Sequence, residues 1–165
     1  MEAARPATAV DLTRLAELRR MASEELRPMR GGELLLLREV PGPGGASLTP
    51  ADLDDPETGV WVGTIDETIV GYSTGHLERL AAAAGTEDAR PVWLGVIDEL
   101  FVEVDARAVG VGEAMMGAML AWFTARGCAG VDAVALPGHR STKNFFEESG
   151  FTARLLVMHR QLRDG

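Results

Sequence analysis

The passage Leu100-Phe101-Val102-Glu103-Val104-Asp105-Ala106-Arg107-Ala108-Val109-Gly110-Val111-Gly112-Glu113 decides how this chain is read. An apolar run enters a turn with two glycines, and a segment of helical apolar period follows. The pattern predicts a strand, a turn and the opening of a helix. The first N–H groups of a helix have no internal acceptor and carry the positive end of its dipole. Such a turn suits an anion, a pyrophosphate among them. Gly110 and Gly112 let a ligand approach backbone that a Cβ would obstruct. Arg107 supplies a charge-assisted contact or braces the loop.

Three phosphate loops compete for this passage, beside a turn with no ligand at all. A Walker loop ends in Gly-Lys-Ser/Thr, and Gly112-Glu113-Ala114 does not. A dinucleotide fingerprint wants a third glycine where Met115 stands, and an earlier strand. A coenzyme A loop of the form Arg/Gln-x-x-Gly-x-Gly/Ala is met by Arg107, Gly110 and Gly112 at every fixed position.

Outward from this passage, residues 92–104 read as a long strand and residues 110–126 as a helix. Val111, Met115, Met119 and Trp122 form its stripe, with Met116 beside them as core. Residues 131–136 read as a strand, and 139–149 as a helix stopped by Gly150. Residues 151–160 read as a closing strand. Upstream, 59–65 and 68–80 read as a hairpin turning at Asp66-Glu67. Residues 5–9 read as a short strand. Residues 10–26 read as a helix with Asp11 as N-cap and Pro28 beyond its end. Residues 33–40 fit a helix or a strand. Residues 41–57, rich in Pro, Gly and Asp, read as a mobile loop, and 81–90 as a connection.

The chain has 165 residues, 46% hydrophobic and 25% charged, which suits one globular domain over 1–165. The single cysteine, Cys128, excludes an internal disulfide. No two of the three histidines have a metal-ligand spacing, so no metal is expected. A net charge of −9 argues against nucleic acid and is compatible with a cationic substrate. No apolar run reaches the roughly 18 residues of a membrane span. The first six residues lack an apolar stretch, so no signal peptide is expected and the cytoplasm is the expected compartment.

Residues 100–102, the Arg107–Gly112 loop and Phe145-Phe146-Glu147-Glu148-Ser149-Gly150-Phe151 together resemble the GNAT superfamily of acetyl-CoA-dependent N-acetyltransferases. The resemblance covers 96–160 well, the hairpin at 59–80, and 5–30 more loosely. Residues 31–57 have no counterpart in it. It implies an α/β (α+β) fold with a mixed, mostly antiparallel sheet flanked by helices, splayed between the fourth and fifth strands. It implies acetyl-CoA as co-substrate, with Phe101, Val102 and Val104 along the pantetheine arm. The backbone of Val109, Gly110, Val111, Gly112 and Glu113, with Arg107, would hold the pyrophosphate.

An amine of pKa roughly 10 must lose a proton before attack. Asp98 and Glu99 resemble the acidic pair at this place in polyamine acetyltransferases, and strand parity aims only one at the cleft unless a bulge intervenes. The second aromatic of the ending, often Tyr in the family, is Phe146, which has no proton to give. The only tyrosine, Tyr72, falls on a strand elsewhere. His139 stands where the family often has Asn. Lys143 and Asn144 lie where members often touch the pantetheine or phosphates; a solvated Lys143 is equally compatible. The reading is direct transfer to a primary amine of a small molecule. A peptide acetyltransferase and a non-catalytic acyl-CoA sensor are the alternatives. A homodimer is compatible with the resemblance.

Overall fold

The computed structural model describes residues 1–37, 47–81 and 90–163. Five strands form one sheet in the order β1-β2-β3-β4-β5. They are β1 (Glu2–Pro6), β2 (Thr58–Ile65), β3 (Thr68–Leu80), β4 (Val92–Val102) and β5 (Gly130–Ala133). Neighbours are antiparallel except β4 and β5, which run parallel. The helices are α1 (Leu12–Leu26), α2 (Gly32–Leu37), α3 (Pro50–Asp54), α4 (Val111–Ala125) and α5 (Arg140–Glu148).

The sheet has a core on each face. Leu15, Leu18 and Ala22 recur at helical spacing on α1 and are buried against Val60, Val62, Tyr72 and Phe101. On the other face Met116, Met119 and Phe123 of α4 pack with Trp61, Ile97 and Phe146. Met115 joins Val102 and Val111 in a third cluster beside them. The methionines of α4 are core, as their spacing implies. Gly95 lies under Phe123, where a Cβ would come within 2.5 Å of the ring.

Two features shape the site. Across β3 and β4, Thr74 faces Glu99 while Gly75 faces Ile97, so one residue of β4 is extra. The β4–β5 ladder ends at Ile97 and Ala133. Beyond it β4 runs on to Val102 without β5 alongside, which is the expected opening between the fourth and fifth strands.

Several expectations are corrected. The strand read at 5–9 lies at Glu2–Pro6, and a 3-10 turn occupies Ala9–Asp11. Asp11 does precede α1, but its carboxylate does not cap it. It accepts from the Thr8 backbone N–H at 2.8 Å and is paired with Arg5 at 2.7 Å. The Arg5 guanidinium beside it lowers its pKa from 3.8 to about 2. The segment at 33–40 is helical from Gly32 to Leu37, and 38–40 lie outside the described residues. The loop read at 41–57 contains α3, started by the Thr49–Asp52 capping box with Pro50 at its head. Leu48 beside it is buried in the α1-face core. Residues 41–46 of that loop, and 82–89 of the connection, lie outside the described residues. The strand read at 92–104 ends at Val102, and the one at 131–136 covers Gly130–Ala133. Residues 151–160 form no strand.

Candidate functional site

The site is built around β4 and the turn that follows it. Strand parity alone would put Asp98 and Glu99 on opposite faces. The extra residue breaks that parity, and both carboxylates lie on the α1 face, while Ile97 and Leu100 lie on the α4 face. Asp98 Oδ2 is 2.7 Å from His76 Nδ1, and both side chains are buried. Glu99 takes hydrogen bonds from Tyr72 Oη at 3.3 Å and Thr74 Oγ1 at 3.2 Å. The Arg19 guanidinium of α1 is paired with it at 3.2 Å, and 28% of the Glu99 side chain still reaches solvent.

Burial raises the Glu99 pKa above the usual carboxylate range, and the Arg19 charge opposes that rise. Burial also pushes the Tyr72 phenol well above its ordinary value. The result is a partly solvated carboxylate of raised basicity, held by three donors. That is the character wanted of a group that takes a proton near neutral pH.

Sequence reading placed Tyr72 elsewhere and did not single out Arg19, Thr74 or His76. A signal was present: Tyr72, Thr74 and His76 alternate along one strand and so share a face. Arg19 follows Leu18 on the inner side of α1 and carried no pattern of its own. Glu103, at the end of β4, is paired with Arg14 of α1 at 2.8 Å.

The turn after β4 keeps the geometry its glycines imply. Gly110 has φ +101° at the N-cap of α4, a conformation that favours glycine. Gly112 has a second constraint: a Cβ there would meet the Phe145 ring at 3.2 Å. The opening amides of α4 lack intrahelical acceptors by position. Arg107 braces the loop, donating from Nε to the Val102 carbonyl at 2.9 Å and pairing with Glu25 of α1 at 2.5 Å. Its guanidinium lies 5.6 Å from the centre of the Phe101 ring.

The structure therefore brings Phe101, Val102, Arg107 and residues 109–113 together at one end of β4. Val109 and Glu113 are exposed, whereas the Val111 side chain is core and leaves only its backbone for a ligand. Val104 is not on the strand; it is exposed in a 3-10 turn spanning Val104–Ala106. His139 precedes α5, with Nδ1 3.0 Å from Thr142 Oγ1 and Nε2 3.2 Å from Glu25 Oε1. Glu25 thus joins the loop after β4 to the head of α5. Lys143 is paired with Glu147 one turn on, at 2.7 Å, and is a half-exposed surface charge. Asn144 is exposed on the same helix. Phe146 is buried, 5.3 Å from the Phe151 ring centre, and serves as packing. Cys128 is half-buried beyond α4, and burial pushes its thiol up. No group of metal-binding side chains occurs among the described residues. None of their helices is long and apolar enough to cross a membrane.

Residues 18–151 match the acetyltransferase (GNAT) family. No curated protein gives a significant match. Solved structures match over nearly the whole chain. A tetramutant of the BH1408 protein from Bacillus halodurans is 19% identical over 96% of this chain and 99% of that one, with a TM-score of 0.74. The aminoglycoside N-acetyltransferase AAC(6')-Iy, in complex with CoA, is 16% identical over 98% of this chain and 99% of that one, with a TM-score of 0.64. The aminoglycoside acetyltransferase meta-AAC0020, from an uncultured soil metagenomic sample, is 19% identical over 99% of this chain and 97% of that one, with a TM-score of 0.66. At such identities the likeness is one of fold, and it is the fold that the five-stranded sheet, the open end of β4 and the left-handed turn at Gly110 already describe. With the family match spanning most of its length, the chain belongs to the GNAT acetyltransferase family and is an acyltransferase.

Proposed function

We propose that the protein transfers an acetyl group from acetyl-CoA directly to a primary amine of a small molecule. The observation that carries this reading is the Glu99 site beside the unpaired end of β4. A carboxylate of raised pKa and a strand edge that β5 does not pair meet there, next to the glycine turn that opens α4. Acetyl-CoA supplies an activated thioester. The backbone of Val109, Gly110, Val111, Gly112 and Glu113 fits a diphosphate, because the Gly110 turn is left-handed and Gly112 carries no Cβ. Phe101 and Val102 offer backbone to the pantetheine arm, and a main-chain N–H there stabilises the developing oxyanion. Val104 contributes at most from the turn.

Glu99 takes the proton from the ammonium, directly or through a water, and the neutral nitrogen attacks the acetyl carbon. The new N–C bond forms as the C–S bond breaks; the nitrogen then gives up its second proton to solvent, and the departing thiolate takes one from solvent. The buried ring of Phe146 cannot supply that proton. Asp98, engaged with His76, supports the same face and is not the first acceptor. His139 and Arg107 flank the cofactor turn through Glu25, while Lys143 and Asn144 are within the same helix and reach the outer phosphates only if their side chains turn inward.

A small cationic acceptor is favoured by the acidic groups on the α1 face, Asp98, Glu99 and Glu103. Two of the solved relatives are named as aminoglycoside acetyltransferases, which is consistent with that class. The same reading takes residues 1–165 as one catalytic domain, acting in the cytoplasm as a homodimer, without metal, nucleic acid or membrane. The test is a panel of amines, aminoglycosides and amino acids with acetyl-CoA, scored by free-thiol release and product mass. Calorimetry with coenzyme A accompanies it. Coenzyme A that fails to bind at about millimolar concentration ends the reading.

A further inference from the structure

Glu25 is the penultimate residue of α1, and its carboxylate faces two ways. Oε2 is paired with Arg107 Nη2 at 2.5 Å, and Oε1 lies 3.2 Å from His139 Nε2. A carboxylate in the last turn of a helix sits at the negative end of the dipole, so its own helix disfavours it. It also stands beside a turn that suits an anion, where an unneutralised negative charge would repel the ligand. Only 23% of the side chain reaches solvent. Its partners, not its helix or the solvent, account for its place.

Those partners lie on the two sides of the opening in the sheet. Arg107 belongs to the β4 side. Its Nε donates to the carbonyl of Val102, the last residue of β4, at 2.9 Å, and its guanidinium lies 5.6 Å from the Phe101 ring centre. With one edge on Val102, another on Glu25 and a face toward Phe101, the planar fork is fixed in place. His139 belongs to the β5 side. It stands at the head of α5, and its backbone N–H donates to the Leu136 carbonyl at 2.9 Å. Leu136 is buried, and a Cβ at Gly31 would lie 3.6 Å from its side chain, so the elbow between α1 and α2 rests on the same segment. The end of α1 therefore reaches across the gap that begins where the β4–β5 ladder stops, at Ile97 and Ala133.

Resting on the reading of residues 109–113 as the coenzyme A turn, we propose that Glu25 is a positioning residue for cofactor binding, tying the β4 and β5 walls of the opening together through Arg107 and His139. Arg107 then serves the diphosphate indirectly, as a strut that Glu25 holds against Val102. Gly110, three residues on, takes its position from that strut. The charge of Glu25 matters, because an ionised acceptor holds a guanidinium about twice as strongly as a neutral amide of the same size. Walls set at one separation in advance spare the ligand the cost of ordering them.

Calorimetry with coenzyme A on the wild type, Glu25→Gln, Arg107→Gln and the double variant tests the proposal. Glu25→Gln is expected to weaken coenzyme A roughly 10-fold. The double variant is expected to lose far less than the product of the two single losses, since both remove one tie. Glu25→Asp keeps the charge but is too short to reach both partners, and should recover part of the loss. In steady-state assays of Glu25→Gln the KM for acetyl-CoA is expected to rise by more than kcat falls, a split that a general loss of structure does not produce. Equal affinity in the wild type and Glu25→Gln, or single losses that multiply in full in the double variant, overturns this proposal and leaves the functional reading standing. Coenzyme A that does not bind the wild type overturns both. Amide exchange on the wild type covers variants that do not fold. Coenzyme A that slows exchange at residues 23–27 of α1 as well as at 109–113 supports the tie. Slowing confined to 109–113 overturns it.

Discussion

Tyr72 Oη lies 3.3 Å from Glu99 Oε1, across the β3–β4 ladder. The one tyrosine of the chain thus touches the carboxylate that we propose as the proton acceptor. Its phenol, held protonated by burial, donates to Glu99 and favours the ionised form.

Replacing Glu99 by Gln is expected to lower kcat by roughly 10²–10⁴-fold with the fold intact. Steady-state rates and thermal scans on the same preparation check this. A variant of wild-type turnover removes Glu99 from the reaction.

The acid limb of the kcat/KM profile is expected to report protonation of Glu99, whose pKa is raised above the usual carboxylate value. Activity is lost as pH falls through that raised pKa, because the base must be unprotonated. Arg19 and Tyr72 both favour the charged form. Arg19→Gln and Tyr72→Phe are therefore each expected to move the limb to higher pH. Arg19→Gln moves it further, since the guanidinium is the larger influence. A limb that stays in place in both variants disconnects it from Glu99.

The Gly110→Asp/Gly112→Asp double variant is expected to lose coenzyme A binding in calorimetry. At 110 the side chain is strained at φ +101°, and at 112 it meets Phe145. Both carboxylates also oppose the diphosphate by charge. Unchanged affinity would exclude this turn as the cofactor site.

Asp11 has its pKa lowered to about 2 by Arg5 and by the Thr8 hydrogen bonds. Its contribution is present above the unfolded value near 4 and is lost as pH falls toward about 2. Asp11→Asn is expected to cost about 1–2 kcal/mol at pH 6, discounted for the half-exposed Arg5. Urea titrations from pH 6 down to about 3 should show the gap to wild type narrowing below pH 4.

Gly95→Ala places a methyl 2.5 Å from the Phe123 ring, which is buried between α4 and the sheet. Overpacking of this kind costs roughly 1–3 kcal/mol, or roughly 3–10 °C in Tm for a chain of this size. Differential scanning calorimetry measures it, and pairing the change with Phe123→Leu should recover part of the loss.

The central hairpin was legible nearly to the residue. Val60 and Val62 alternate along β2, and Asp66-Glu67 supplies a two-residue turn in which both φ are positive. The start of α4 was legible because Gly110 marks it. Leu48 and α3 were not, although Thr49, Pro50 and Asp52 carry a helix start. Proline, glycine and aspartate around them gave the segment the composition of a loop, and composition outweighed the cap. The Glu99 network was legible only in its carboxylates. Tyr72 and Arg19 reach it through pairing and packing between segments far apart in the chain, which no local pattern records. The closing segment at 151–160, expected as a strand, forms none, and among the described residues no strand pairs with it.

The supernumerary residue at Asp98 has a consequence for how this protein can change. It divides β4 into two half-strands of independent phase. Residues 94–97 pair with both β3 and β5, and Gly95 among them lies under Phe123; residues 99–102 pair with β3 alone. The acceptor side can therefore be altered by substitution without shifting the half that anchors the sheet. Deleting that one residue would leave Ile97 and Glu99 adjacent on their present faces, closing the ladder to β3 regularly and removing only the Asp98 carboxylate that His76 holds.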